Sequence, residues 1–327
     1  MTQSLLDSYH RHIDYMRISV TDRCNLRCIY CNVSSAPHLS HDDILRYEEI
    51  ERVVRAAANL GVKSIRLTGG EPLVRPGVAE LVRLIARVPG ITDISMTTNA
   101  TRLAEMAQEL KDAGLHRVNI SLDTFKPERF EKMCGAGKFE QVIEGIEAAQ
   151  RAGLDPVKIN TVVLRGVNDD EVVDFARKSL TSGWHVRYIE EMPLVGGDNG
   201  HKMVSIGEIR DRIEQELGGL EPCWPVNGHG PAKYYRLPGA AGSIGFIGPV
   251  TDCFCEKCNR FRLTADGKLR PCLLRDGEVD LREALRRGAG TEELQALMLK
   301  AAALKKERHQ LSEHITPHER QMWQIGG

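Results

Sequence analysis

The chain has 327 residues, 42% hydrophobic and 27% charged, enough to bury a sizeable core and too structured in composition for a disordered chain. Its 44 Lys and Arg balance 45 Asp and Glu, a net charge of −1 that argues against a general polyanion binder, so no nucleic acid is expected as partner. The first residues lack the apolar core of a secretory leader, and no segment approaches the roughly 18 apolar residues of a membrane span; a cytoplasmic protein with no membrane association is expected.

In chain order, short β-branched runs alternate with amphipathic stretches up to about residue 195. Strands are expected at 16–21, 64–68, 93–98, 118–123, 157–163 and 186–190. Helices are expected at 47–59, 78–87, 102–112, 139–151 and 170–180, several closed by Gly61, Gly114 or Gly153. Strand then helix, repeated, means parallel strands with right-handed crossovers. Such strands fit a doubly wound sheet or an incomplete barrel. No G-x-G-x-x-G follows the first strand, which counts against a dinucleotide-binding sheet.

In a β/α barrel the site lies at the C-terminal strand ends. Residues suited to chemistry fall there: Cys24, Gly69-Gly70-Glu71, Asn99, Ser121 with Asp123, and Met192. The expectation is an α/β fold, an incomplete (β/α)6 TIM-type barrel over residues 1–200, with a C-terminal α+β extension over 201–327. The boundary is set by the glycine-rich run at 196–200. Beyond it come a helix at 206–217, a Pro/Gly-rich stretch, short strands and a basic helical tail.

Nine cysteines in a cytoplasmic chain point to metal or redox chemistry rather than disulfides. Cys24-Asn-Leu-Arg-Cys28-Ile-Tyr-Cys31 is C-x-x-x-C-x-x-C. Three thiolates on one loop can hold three irons of a cubane cluster and leave a fourth iron open, whereas structural zinc takes four protein ligands. On spacing alone, a zinc site completed by His38 or His41, or three unconnected thiols, stays open. Cys255, Cys258 and Cys272 form a second group of three, C-x-x-C followed by a longer gap; Cys253 could add a fourth ligand and make it a zinc site. Cys134 and Cys223 stand alone and read as plain thiols.

With Tyr30 before the last cysteine of the first group and Gly69-Gly70-Glu71-Pro72 after the second strand, the chain resembles the radical S-adenosylmethionine superfamily. The resemblance then narrows. The run Cys255-Glu-Lys-Cys258-Asn-Arg-Phe-Arg-Leu-Thr-Ala-Asp-Gly-Lys-Leu-Arg-Pro-Cys272, with stretches at 65–73, 119–123, 157–162, 166–170 and 189–193 and the terminal Ile325-Gly326-Gly327, resembles the MoaA family of GTP 3′,8-cyclases. Two departures concern loop shape: the segment after Cys31 lacks the family's Met-Pro-x-x-Gly type of sequence, and Ala100 stands where Gly is usual. Cys253 is extra to the family spacing and reads as a non-ligand.

The resemblance implies two [4Fe-4S] clusters, one on Cys24, Cys28 and Cys31 and one on Cys255, Cys258 and Cys272. The extension would thus carry the second cluster, whose open iron meets the guanine. Tyr30, Gly70, Glu71, Ser121 and Met192 would cradle S-adenosylmethionine, with Glu71 an acceptor for its ammonium and the glycines allowing close approach to its methionine part. Arg17, Arg66, Thr97, Lys158, Arg260, Phe261 and Arg262 would bind GTP, and Gly326 and Gly327 would reach the active site. A 5′-deoxyadenosyl radical would take the C3′ hydrogen, the carbon radical would close onto guanine C8, and the aminyl-type intermediate would be reduced by one electron, with a proton, to 3′,8-cyclo-7,8-dihydro-GTP in the first step of molybdenum cofactor synthesis. Partners would be GTP, S-adenosylmethionine, a low-potential electron donor and the downstream cyclic pyranopterin monophosphate synthase; a homodimer stays open. Residue chemistry agrees: a triphosphate needs several cations, Arg forks bind its oxygens bidentately, and Arg260 and Arg262 share one face of a strand. The competing readings are a radical S-adenosylmethionine maturase that modifies peptides, and a non-enzymatic zinc or iron–sulfur scaffold.

Overall fold

A period of two sets the architecture. In the computed structural model, which describes residues 4–31, 38–192, 203–224, 228, 230–313 and 315–326, strand β1 (Tyr15–Ser19) buries Met16 and Ile18 in an apolar layer. Tyr15, Arg17 and Ser19 occupy its other face. Strand β2 (Ser64–Thr68) repeats the pattern, with Ile65 and Leu67 alternating with Ser64, Arg66 and Thr68. So, in the main, do β3 (Asp93–Thr98), β4 (Arg117–Ser121), β5 (Lys158–Val163) and β6 (His185–Glu190).

These six strands pair in sequence order, all parallel. Their connections carry α1 (Tyr47–Asn59), α2 (Val78–Ala86), α3 (Leu103–Asp112), α4 (Pro127–Cys134), α5 (Phe139–Arg151) and α6 (Val172–Thr181); α7 (Ile206–Leu217) follows β6. Each helix turns an apolar stripe to the strands, as Ile50, Val53, Val54 and Ala57 do on α1. Glu49 accepts from the Arg46 amide at 2.7 Å and fixes where α1 begins. Helix α4 does not figure among the elements expected from sequence. Pro127 opens it and Gly135, at φ +64°, ends it, so its eight residues are bracketed by turn formers and read as loop.

The incomplete barrel is present, and the C-terminal part is woven into the same sheet. Strands β7 (Glu221–Pro222), β8 (Lys233–Arg236), β9 (Ser243–Ile247), β10 (Arg260–Leu263), β11 (Lys268–Arg270) and β12 (Val279–Asp280) complete an open sheet of twelve strands in the order β12-β11-β10-β1-β2-β3-β4-β5-β6-β9-β8-β7. Strand β10 adds parallel to β1 at one edge and β9 parallel to β6 at the other. Helices α8 (Arg282–Arg286), α9 (Thr291–Leu304) and α10 (Met322–Ile325) complete the fold. The expected boundary near residue 200 lies outside the described residues. Among those described, no helix is long and apolar enough to cross a membrane.

The inner face is polar. Arg262, Arg17, Arg66 and Ser95 are register neighbours across four strands, and Ser121, Asn160 and Arg187 across three others. Barrels usually fill this space with branched apolar side chains. Here it is left open to a ligand.

Candidate active site

The first cysteine loop is held from two sides. After β2 the chain runs back along residues 21–23: the Gly70 amide donates to Thr21 O and the Glu71 amide to Arg23 O, each at 2.8 Å. A Cβ on Gly69 would lie 2.6 Å from Thr21 O, and one on Gly70 would lie 2.4 Å from Arg23 O. The close approach these glycines permit is therefore to the chain's own backbone, not only to a ligand. On the other side, Arg27 N donates to Cys134 O at 2.7 Å and Ile29 N to Met133 O at 2.9 Å, so the loop leans on the end of α4.

Glu71 is fully buried. It accepts from Thr98 Oγ1 (2.6 Å), Asn99 N (2.7 Å) and Leu73 N (3.0 Å), and burial outweighs these donors to push its carboxyl up to about 7. Three protein donors hold Glu71 and brace the loop to the end of β3, with acceptor capacity left on its two oxygens. Tyr30 donates its hydroxyl to Asp123 at 2.6 Å.

Cys24, Cys28 and Cys31 line one pocket with Gly70, Ser121 and Trp323. Burial pushes Cys24 up to about 12 and raises Cys31 as well; the adjacent Cys134 thiol, with burial, raises Cys28. Such thiols become thiolates when a metal supplies the missing positive charge. Among the described residues, neither these three sulfurs nor those of Cys255, Cys258 and Cys272 all come within 4.8 Å of one another. One tetrahedral ion would hold its sulfurs about 3.8 Å apart. Both trios therefore suit a polynuclear cluster better than a single ion.

Past Thr97 and Ser121 the pocket opens into a cavity of about 1070 Å³, its mouth included, walled by Arg17, Arg66, Arg187, Arg260 and Arg262. Tyr30, Thr97, Ser121 and Met192 line it too, so the sequence-derived site residues largely converge. Lys158 does not reach the wall; it lies buried beneath, its ammonium 5.6 Å from the Tyr234 ring centre. Burial, then Arg187, Arg117 and Arg66, bring it down to about 6; burial brings Arg66 down to about 10 and also lowers Arg17 and Arg262. Phe261 is corrected: it alternates with Arg260 and Arg262, points to the opposite face of β10, and is fully buried in the apolar core. Gly327 lies outside the described residues.

Five arginines share the wall with three carboxylates, Asp123, Glu190 and Glu191. Of the carboxylates on the wall, Asp123 accepts from Tyr30 and from Val162 N at 2.8 Å, while Glu190 accepts from Ile206 N and Val250 N at 3.0 Å. Thr97 Oγ1 and Asn160 Oδ1 are buried on this wall without a hydrogen-bond partner among the described residues. The donor set suits a polyanion with polar groups to satisfy. Arg187 escaped sequence reasoning, although a charge at an inward position of a buried strand is a legible signal.

The second trio borders the far wall. Arg260, over the Phe254 ring at 4.7 Å, places Nη2 3.5 Å from Cys258 Sγ; Lys305 Nζ lies 3.4 Å from the same sulfur and donates to Pro271 O at 2.5 Å. Burial alone would raise the Cys258 thiol, but these two cations outweigh it and bring it down to about 6. Burial pushes Cys255 up to about 12. Nothing in the basic tail singles out Lys305, because its role arises only on folding.

The C-terminus closes over the same region. Met322 and Trp323 line the first pocket, and the Trp323 amide donates to the Cys31 sulfur. Arg262 donates to the Gly326 carbonyl. Gly326 has φ +69°, and a Cβ there would sit 2.5 Å from Thr68 Cγ2. Only glycine threads between the ends of β1 and β2 in this way.

Comparison with known proteins follows this geometry. Residues 18–178 match the Radical SAM superfamily and residues 184–311 match Molybdenum Cofactor Synthesis C. The GTP 3′,8-cyclase of Pelotomaculum thermopropionicum is 52% identical over 324 residues, 98% of this chain and 99% of that protein. The chain belongs to the MoaA family of GTP 3′,8-cyclases. The Moorella thermoacetica member is 49% identical over 98% of this chain and 99% of its own length. Streptococcus suis SuiB, solved with S-adenosylmethionine bound, shares the fold at TM-score 0.64 and 13% identity over 90% of this chain and 68% of that one. MoaA-family enzymes carry two [4Fe-4S] clusters and use S-adenosylmethionine, and the two trios described above fit that complement.

Proposed function

We propose that this chain converts GTP to 3′,8-cyclo-7,8-dihydro-GTP, the first step of molybdenum cofactor synthesis, with Cys24, Cys28 and Cys31 on one cluster and Cys255, Cys258 and Cys272 on the other. The observation that carries this reading is a cavity walled by five arginines that adjoins the pocket of the first cysteine trio and, through Arg260, reaches Cys258 of the second. When bound, the first cluster supplies the electron that cleaves S-adenosylmethionine to a 5′-deoxyadenosyl radical. The chain's own groups bind and orient. Tyr30, Gly70, Ser121 and Met192 hold the adenosyl donor between the first trio and the cavity. Arg17, Arg66 and Arg262, with Lys158 beneath, gather the triphosphate, and Arg260 spans from substrate to Cys258. Gly326 holds Arg262 in place and so sets where the ribose lies.

On this reading residues 1–200 serve the radical chemistry and 201–327 the second cluster and substrate. The enzyme works in the cytoplasm, takes electrons from a low-potential donor and passes product to the downstream cyclic pyranopterin monophosphate synthase. Arg260→Ala and Arg262→Ala are each expected to weaken GTP about ten- to a hundredfold, the loss of one charge-assisted contact, while S-adenosylmethionine binds as before. Calorimetry with each ligand separately checks this; unchanged GTP affinity in both variants removes the triphosphate from these arginines.

A further inference from the structure

A third set of metal-binding groups lies beside the second trio. Cys253, Cys255 and His309 bring two sulfurs and one imidazole nitrogen within 4.8 Å of one another, the one such set among the described residues. Cys253 Sγ is 3.7 Å from His309 Nε2. A tetrahedral ion, with metal–sulfur near 2.3 Å and metal–nitrogen near 2.0–2.1 Å, sets that edge at about 3.5 Å. The sequence gives no hint of the grouping, because His309 is far along the chain and comes back only with the coil after α9.

The set is held in shape before any ion arrives. Arg11, paired with Asp7, donates to the carbonyls of Cys255, Glu307 and Lys306, each at 2.7 Å, and so ties the loop before β10 to the coil after α9. The His309 ring meets the Pro249 carbonyl, its Nδ1 accepts from the Leu311 amide at 3.4 Å, and the His309 amide donates to the Cys255 sulfur. Cys253 is exposed while Cys255 and His309 are buried, so an ion can enter from solvent through Cys253.

We propose that Cys253, Cys255 and His309 bind one divalent ion of the zinc class in the chain that lacks its second cluster, making Cys255 a ligand either of that ion or of the cluster. Two thiols and one neutral imidazole take the ion, two protons leave, and solvent fills the fourth position. Ion binding stands on the trio alone. The competition rests on the assignment of Cys255 to the second cluster made above.

The test uses the full chain with Cys24, Cys28 and Cys31 replaced by Ala, stripped of iron under anaerobic conditions and titrated with Co²⁺. One equivalent is expected, with the visible absorption of tetrahedral thiolate coordination, displaced by Zn²⁺. Cys253→Ala and His309→Ala are expected to weaken it about tenfold or more, while Cys272→Ala leaves it unchanged, all with unaltered circular dichroism. Loss of the signal in Cys272→Ala but not in Cys253→Ala and His309→Ala places the ion on the cluster ligands and overturns the proposal, as does the absence of a tetrahedral spectrum. In the second arm, zinc-loaded protein is given iron and sulfide. Slow cluster assembly, relieved by His309→Ala, is expected; assembly at the zinc-free rate with zinc retained overturns the shared role of Cys255 and leaves the ion site standing.

Discussion

Ala100 is buried at φ +62°, in the left-handed region, directly after the Thr98-Asn99 pair that receives Glu71. A Cβ costs about 1–2 kcal/mol there. Replacing it by Gly relieves that strain but loses about 0.5–1 kcal/mol to chain entropy and a buried methyl besides, so Ala100→Gly is expected to leave stability within about 1 kcal/mol. Ala100→Val adds β-branching to the same conformation and crowds Gly145, where even a Cβ would lie 2.5 Å from Ala100 O; it is expected to cost about 2 kcal/mol or more. Urea unfolding of both variants checks the pair. Lys158 carries the second prediction at this scale. Its ammonium falls from 10.5 to about 6 in the folded chain, so the unfolded chain binds more protons between those values and stability rises with pH across the window. Lys158→Met is expected to flatten that rise. A bound triphosphate restores the charge, so GTP binding near pH 7.5 takes up a proton that Lys158→Met does not, read by calorimetry in two buffers of different ionisation heat. The expectation of Lys158 near the substrate came only through the resemblance. Its burial was not legible, because that depends on Tyr234 closing over it from β8.

At the scale of elements, the C-terminal tail is the sharpest case. Four residues of α10 and Gly326 join Cys31, Arg262 and the ends of β1 and β2. Deleting Gly326 and Gly327 is expected to lower the turnover rate on the order of a hundredfold, the size of effect a misplacement of about 1 Å can have, with GTP affinity little changed. A parallel loss of affinity and rate would make the tail a binding element instead, and normal turnover would make it only an end. Six strands fell within two residues of their expected places, because period-two burial is a local signal. Helix α4 did not, since Pro127 and Gly135 bracket too short a run. Nor could the sequence place β9 and β10 at opposite edges of the barrel. Those pairings join residues far apart in the chain, and no local pattern encodes them.

Across the whole molecule, an open sheet, parallel from β10 through β9 and antiparallel at its edges, brings five wall arginines and the chain's own end to one cavity beside the first cysteine trio, with Cys258 within reach of Arg260. The trios were legible from spacing; their nearness to that cavity was not, because β10 is hydrogen-bonded to β1 only in the folded chain. On the proposed function, this cavity joins radical generation at one trio to cyclisation of GTP near the other. Anaerobic incubation of the cluster-loaded enzyme with GTP, S-adenosylmethionine and a strong reductant tests it most directly. 5′-Deoxyadenosine and 3′,8-cyclo-7,8-dihydro-GTP are expected in equal amounts, with Cys258→Ala abolishing the cyclised nucleotide. Release of 5′-deoxyadenosine with GTP recovered unchanged would contradict it.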